Sequence, residues 1–300
     1  MDAVLVIDKP VGPTSFDVVR RIRRAAGSRR VGHGGTLDPA ASGVLPICLG
    51  EATKLAQFLL DADKQYDFTV CFGVETDTDD AAGAITARHD AGAVDEAAVR
   101  GALAPFRGAI SQVPPIYSAL KRDGRPLYDY ARAGETVTIA PRAVVVHELE
   151  LTSFAGPAVV TFTMRCSKGT YVRALARDLG RALGVGAHVT ALRRTRSGPF
   201  SLADARPLDE VLATLEAPGG KVDEAALPMV APADALRHLE RRVVTDSIAR
   251  DARFGRRIAL EPGEAAFDGR LCLLDSQGKL VAVAQPRPDQ TLELLRVFLP

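Results

Sequence analysis

The sequence predicts an α+β protein, and three observations carry that expectation. Lys64 to Phe72 and Val159 to Cys166 alternate apolar and polar residues with the period of two that marks a half-buried strand. Phe16, Val19 and Ile22, and later Val172, Leu175, Ala176, Leu179 and Leu183, recur at helical spacing. A stretch rich in Pro, Gly and Ala, from Ala217-Pro218-Gly219-Gly220 to Pro232, then sets off a short tail with the pattern of β-hairpins. We therefore expect a domain over residues 1–230 and a smaller β-rich domain over residues 231–300. A chain of 300 residues suits one large domain or two and can bury a sizeable core.

Composition narrows the class. Hydrophobic residues make up 47% and charged residues 25%, which is ordinary for a soluble globular protein. No window approaches about 18 uninterrupted apolar residues, and MDAVLVIDKP has no basic region before an apolar run. A membrane span and a secretory leader are not expected. Cys48, Cys71, Cys166 and Cys272 stand far apart and form no CxxC pair. That fits reduced thiols in a cytoplasmic protein, with neither disulfides nor a zinc site. The net charge is only +1, but its distribution is uneven. Arginines cluster at Arg20, Arg21, Arg23, Arg24, Arg29 and Arg30, again at Arg193, Arg194 and Arg196, and again at Arg253, Arg256 and Arg257. A solvated helix face explains any one cluster. Three together point to phosphate contacts.

In chain order, Ala3 to Ile7 reads as a strand ended by Pro10 and Gly12. Thr14 or Ser15 then caps the first helix, which Gly27 stops. PICLGEATKLAQFLL, from Pro46, predicts a short strand, a glycine and a helix. It is not a Walker loop, because no second glycine precedes Lys54. Tyr66 begins the apolar face of the Lys64–Phe72 strand. Glu75 to Asp80 has the acidity of a metal loop but lacks the spacing of an EF-hand, so a solvated connection is expected. Val94 to Leu103 reads as a helix. Residues 108–135 are polar and interleave Lys121, Arg122, Arg125 and Arg132 with Tyr117, Tyr128 and Tyr130, a mixture suited to RNA phosphates and bases. Val144 to Leu151 and Val159 to Cys166 are strands. Thr170 can cap the helix that Gly184 ends. Arg173, in its first turn, opposes the helix dipole and so calls for a carboxylate or phosphate partner. Helices are expected at Pro207 to Glu216 and Ala233 to Arg241, and strands at Leu271 to Leu274, Leu280 to Ala284 and Leu292 to Leu299.

The chain is organised around Val31 to Gln57. Asp38 stands there between Gly32-His33-Gly34-Gly35 and Pro39, followed by Ala40, Ala41, Ser42 and Gly43. Glycines permit close backbone approach, and Pro39 keeps Asp38 out of the helical region. Asp38 is the only acid between Asp17 and Glu51, which suits a single-carboxylate site rather than a two-carboxylate glycosidase pair. Composition alone also fits a Gly-rich turn closed by an Asx side chain.

Seven strings in order resemble the TruB family of tRNA pseudouridine-55 synthases. They are Asp8-Lys9-Pro10 with Gly12; GHGGTLDPAASGVLPICLGEATK from Gly32; Lys64-Gln65-Tyr66; ETDTDDAAG from Glu75; VPPIYSALKRDGRPLYDYARAGE from Val113; CSKGTYVRALARDLG from Cys166; and AHVTALRRTRSG from Ala187. The resemblance spans roughly residues 1–200 and fades after about residue 210. It implies the pseudouridine synthase fold, a mixed, largely antiparallel sheet flanked by helices and loops, with a PUA-like RNA-binding domain at the C-terminus. It further implies isomerisation of uridine 55 in the tRNA T loop by base flipping, with no cofactor and no metal, on a tRNA T-stem-loop, by a monomer with no obligate protein partner. Family members also assist tRNA folding, and a non-catalytic RNA-folding protein is the competing class. A metal-dependent sugar or phosphate enzyme using Asp77, Asp79 and Asp80 is a third.

By the same resemblance Asp38 is the catalytic aspartate, Tyr66 stacks on the target base and aids proton removal from C5, and Arg173 pairs with Asp38 and helps orient the pocket; a guanidinium can make that contact bidentate, which an ammonium cannot. Leu192 packs in the pocket, Tyr171 lies near the base, His33 inserts into the RNA near the flipped nucleotide, and Lys9, counted among the substrate-binding residues, supports the pocket. Lys121, Arg122 and Arg125 belong to a mobile thumb over about 108–142, and with Arg193 they are expected to contact RNA. Attack at C6, attack at C1′ and proton abstraction at C2′ all remain open at this point, and all use Asp38.

Overall fold

The computed structural model describes residues 1–217, 226–259 and 269–299. Most of the Pro- and Gly-rich break after Ala217, residues 218–225, lies outside the described residues. The first half runs β1 (Val4–Lys9), α1 (Ser15–Ala25), β2 (Val31–His33), β3 (Ala41–Leu49), α2 (Ala56–Asp61), β4 (Lys64–Phe72), β5 (Val74–Thr76), β6 (Ile85–Arg88), α3 (Glu96–Ala102), β7 (Gly108–Gln112), β8 (Lys121–Arg122), β9 (Arg125–Pro126) and α4 (Leu127–Arg132). It continues with β10 (Arg142–Phe154), β11 (Val160–Cys166), α5 (Val172–Ala182), β12 (Ala187–Ser197), β13 (Phe200–Ser201), β14 (Arg206–Pro207), α6 (Leu208–Leu215) and β15 (Met229–Val230). The rest is β16 (Glu240–Val243), α7 (Asp246–Arg253), β17 (Ile258–Ala259), β18 (Leu271–Leu274), β19 (Leu280–Pro286) and β20 (Thr291–Val297).

The main sheet has the order β14-β1-β3-β12-β4-β11-β10-β7. Only β1–β14 and β12–β3 pair in parallel; the other neighbours along this path are antiparallel. Helices α1, α5 and α6 cover one face. Val18, Val19 and Ile22 of α1, Leu175, Ala176 and Leu179 of α5, and Leu208 and Val211 of α6 join Leu5, Ile7, Phe68, Val70 and Phe162 of the sheet in one core. Phe68 and Phe162 stack across β4 and β11 with ring centroids 5.3 Å apart. A second sheet, β16-β18-β19-β20-β17, forms the β-rich C-terminal part.

Strand β1 is buried on both faces. Leu5 and Ile7 belong to the main core, whereas Val4 and Val6 join Val44, Cys48, Phe58, Leu236, Cys272, Val283 and Phe298 in a core shared with the C-terminal sheet. That is why its sequence is a continuous apolar run rather than an alternating one.

Some expectations need correction. Phe16 is not a core residue: it is 61% exposed, and Val18 takes its place in the core. Thr14, rather than Ser15, caps α1, accepting from the Asp17 N–H, while Ser15 Oγ donates to the Leu37 carbonyl at 3.0 Å. Thr170 does not cap α5; its hydroxyl donates to the Ser167 carbonyl, and Tyr171 stands at the cap. The helix expected at Ala233 to Arg241 is one 3-10 turn, Asp234–Leu236, because Glu240–Val243 is drawn into parallel pairing with β18. Helix α7, capped by Thr245, was not expected.

Candidate active site

The parallel pairing of β3 with β12 builds the site. It sets Leu192 opposite Ala41, Arg193 opposite Ser42 and Arg194 opposite Gly43. Gly43 has φ +106°, and a Cβ there would lie 2.2 Å from the Arg194 carbonyl, so no larger residue lets the two strands meet. The loop from Gly34 to Ala40 is thereby held over β12 with Asp38 at its tip, half-exposed. On the far side β4 pairs with β12, placing Tyr66 opposite Arg194.

Arg173, in the first turn of α5, is buried. Its Nε lies 2.9 Å from Asp38 Oδ2 and 3.7 Å from Asp80 Oδ2. Its Nη1 donates to the Thr78 carbonyl at 2.8 Å and its Nη2 to the Tyr117 carbonyl at 2.9 Å. The expected bidentate contact with Asp38 is therefore absent. Only Nε approaches the carboxylate, as an ion pair without hydrogen-bond geometry, and the terminal nitrogens tie down two other segments. The pairing also answers why a cation sits at a helix N-terminus.

Asp38, Tyr66, Tyr171, Leu192, His33 and Arg173 all line one cleft of about 1000 Å³. Tyr66 is nearly buried, and burial pushes its hydroxyl above the ordinary phenol range, partly offset by the neighbouring Arg194. Burial also raises Tyr171. The backbone of Tyr171 is clamped by Gln112, whose amide donates to its carbonyl and whose Oε1 accepts its N–H. His33 is held below the usual imidazole value, first by burial and then by Arg194, and its buried Nδ1 lacks a hydrogen-bond partner among the described residues. Phe16 stands on the same wall, so the residue misassigned to the core is a cleft residue.

Two further buried cations lie near the site: Arg194 lines the cleft and Lys9 does not. Arg194 is 1% exposed and donates to the carbonyls of Val44 (2.8 Å), Thr36 (3.0 Å) and Gly35 (3.3 Å), pinning the strand and loop that carry Asp38. Its neighbours Arg193 and Arg196 make it read as part of a phosphate-binding cluster. A signal to the contrary is in the sequence: on a strand, Arg194 shares the face of Leu192, a residue expected in the pocket. Lys9 is fully buried and donates to the carbonyls of Pro10 and Pro13. Burial lowers its pKa to about 8, against the pull of Asp38. Lys9 offers no surface to RNA and acts as an internal brace. Lys64, likewise buried, caps the end of α2 through the carbonyls of Leu59, Leu60 and Ala62.

The other arginine clusters divide. Arg193 pairs with Asp8 at 2.7 Å. Arg253, Arg256 and Arg257 are engaged by Asp275, Asp251 and Asp289, so the third cluster is a set of ion pairs rather than a free basic patch. In the first, Arg20 meets Asp17 and Arg30 meets Glu51, while Arg21, Arg24 and Arg29 are exposed. Lys121 and Arg122 are exposed at the tip of the thumb-like segment. Arg125 pairs with Glu135 and lies over the Tyr130 ring at 4.3 Å. Tyr128 and Arg132 of the same segment line the cleft.

The acidic loop does not gather its carboxylates. Asp77 accepts from the Ala84 N–H, Asp80 from the Ala82 N–H and the Thr78 hydroxyl, and Asp79 pairs with Arg177. Among the described residues no group of three or more His, Cys, Asp or Glu side chains is placed to hold a metal ion. No described helix is long and apolar enough to cross a membrane.

The sequence matches the N-terminal domain profile of the TruB family pseudouridylate synthases over residues 23–172 and the C-terminal domain profile of tRNA pseudouridylate synthase B over residues 173–237. The tRNA pseudouridine synthase B of Burkholderia mallei (strain NCTC 10247) is 49% identical over 291 residues, covering 95% of this chain and 93% of that protein. The protein of the same name from Cupriavidus pinatubonensis (strain JMP 134 / LMG 1197) is 46% identical over 295 residues, covering 95% and 90%. Among solved structures, a chain of a Cbf5-Nop10-Gar1 complex superposes with a TM-score of 0.78 at 28% identity, covering 99% of this chain and 85% of that one. A chain of an H/ACA RNP bound to a substrate RNA containing 2′-deoxyuridine gives 0.76 at 27%, with the same coverage.

Proposed function

The chain belongs to the TruB family of pseudouridylate synthases, and from that membership we propose that it converts uridine 55 in the T loop of tRNA to pseudouridine through Asp38. The observation that carries the site assignment is the Asp38–Arg173 ion pair at the floor of a cleft large enough to take an extruded nucleotide.

The reaction breaks the bond between uracil N1 and ribose C1′, turns the base, and joins C5 to C1′. The C5 proton is lost and N1 gains one, so no net group is consumed. Extracting the base from a folded RNA costs a few kcal/mol, which pocket contacts offset. Tyr66 supplies an apolar face to the base and a hydroxyl that burial keeps protonated. Leu192 packs beside it. The Asp38 carboxylate, oriented by a guanidinium that cannot rotate away from its two carbonyl partners, is the nucleophile or base near the sugar. Attack at C6, attack at C1′ and the C2′ route all place the same demand on it. No step calls for a cofactor.

The thumb-like segment at about 108–142, with exposed Lys121 and Arg122, and the exposed arginines of α1 supply phosphate contacts. Residues 231–300 act as a PUA-like RNA-binding domain. The enzyme works as a monomer without an obligate partner, and assistance to tRNA folding uses the same surface.

An unmodified tRNA transcript, carbodiimide labelling and primer extension test the assignment, with Asp38→Asn in parallel. Wild type gives one stop in the T loop; Asp38→Asn binds the transcript and gives none. Comparable modification by the variant overturns the role of Asp38, and a stop elsewhere overturns the assigned uridine.

A further inference from the structure

We propose that Arg177 is a positioning residue for the Asp38–Arg173 pair. It acts as the strut that fixes the root of the thumb-like segment and the loop at 77–83 against α5. The proposal rests on the assignment of Asp38 and Arg173 made above.

Arg173 takes its two carbonyl partners from segments that are not regular there: Thr78 in the acidic loop and Tyr117 beyond the end of β7. Something must hold both within hydrogen-bond reach. Arg177 lies one turn further along α5, on the same face. It grips the same two segments. Its Nη1 is 3.0 Å from Asp79 Oδ2, one residue after Thr78, and its Nη2 donates to the Val113 carbonyl at 2.8 Å, four residues before Tyr117. Its Nε donates to Asp178 Oδ1 at 2.9 Å. The two arginines are successive rungs between one helix and two loops.

The loop needs such a rung. Asp79 has φ +59°, a left-handed conformation that a non-glycine residue holds only when its surroundings over-determine it. Its carbonyl accepts from the Val189 N–H at 3.0 Å, which ties the loop to β12, and its nearly buried carboxylate has Arg177 as its ion partner. A buried carboxylate without such a partner is costly. Arg177 does not line the cleft, so any effect on the reaction passes through the segments it holds.

The test uses the full chain with Arg177→Met, Arg177→Lys and Asp79→Asn. The readings are the single-turnover rate of pseudouridine formation, tRNA affinity, and tryptic cleavage at Lys121 and Arg122 without RNA. In Arg177→Met the rate falls about ten- to a hundredfold, because a displacement near 1 Å at the reacting groups has that effect. Affinity changes by less than about threefold, since the phosphate contacts remain. Cleavage quickens by about tenfold as the root loosens. Arg177→Lys recovers part of the rate, keeping charge beside Asp79 but not the second contact to Val113. Asp79→Asn, which tolerates the left-handed backbone, moves rate and cleavage the same way by less.

Folded Arg177→Met with wild-type rate and cleavage overturns the proposal. If that variant does not fold, wild-type values for both Arg177→Lys and Asp79→Asn overturn it equally. Wild-type protein inactive on tRNA would defeat the functional reading instead, and cleavage alone would then decide on the strut.

Discussion

Replacing Arg194 by Met tests whether the catalytic loop is held from beneath. Arg194 is 1% exposed, and its guanidinium satisfies the buried carbonyls of Val44 and Gly35 and the part-buried carbonyl of Thr36. Met fills a similar stem volume but donates nothing. Each orphaned buried carbonyl costs about 1–3 kcal/mol, a gross loss of about 2–6 kcal/mol for two. Removing a buried cation returns part of that as relieved desolvation, leaving a net destabilisation of about 1–3 kcal/mol. The loop that carries Asp38 also loses its anchor, so single-turnover pseudouridine formation falls about a hundredfold in the molecules that remain folded. Urea unfolding reports the first quantity, and the tRNA assay, normalised to folded protein, reports the second. A loss below about 1 kcal/mol with a rate within about twofold of wild type would refute the reasoning, because two unsatisfied buried acceptors and a released loop cannot be that inexpensive.

Two further outcomes follow. Tyr66→Phe keeps the aromatic face and the packing against its strand neighbours but removes the hydroxyl; tRNA binding persists and the single-turnover rate drops by about 10²-fold, in the range of a lost proton-transfer group. An unchanged rate would leave stacking as the whole role of Tyr66. His33 gives a pH signature. Its folded pKa lies below the ordinary imidazole value, so as the pH drops below about 6.5 the unfolded chain binds a proton that the folded chain does not. Stability therefore falls on acidification through that window and levels off once the folded histidine is also protonated. The stability difference between wild type and His33→Gln, followed by denaturant unfolding from pH 7.5 to pH 5, should move against wild type as the pH falls. A pH-independent difference would contradict the burial argument.

How much was legible depended on range. The Asp38 loop, the Tyr66 strand and the Arg173 helix each carry a local pattern, and the structure brings all three to one cleft. Period-two alternation identified Lys64–Phe72 with the bounds observed. What escaped needed knowledge of partners distant in sequence. Arg194 resembled its neighbours Arg193 and Arg196 until β12 was seen between β3 and β4, with bulges after Val189 and Arg194. Lys9 reads as a support of the pocket, but nothing local reveals that two proline carbonyls fold over its ammonium. Phe16 fits the helical period of the α1 core face, yet the helix is rotated so that Ser15, Val18, Val19 and Ile22 point inward. The helix expected at Ala233 to Arg241 lost its end, Glu240 and Arg241, to a parallel partner some thirty residues away. Helix α7 is legible in the sequence, since Thr245 caps it and Gly255 follows it.

The double burial of β1 has a thermodynamic consequence. Alternate residues of one strand report to different hydrophobic cores, so neither core can dissolve without uncovering the back of the other. The C-terminal sheet is for this reason not an appendage that could be trimmed at leisure: its removal would strip Val4, Val6, Val44 and Cys48 of part of their packing, leaving them only such neighbours as Leu55, Phe58 and Phe200. The two sheets should melt in a single cooperative transition. A mutation in any of the four residues Val4 to Ile7 is then felt by the whole molecule, catalytic cleft and distal sheet alike.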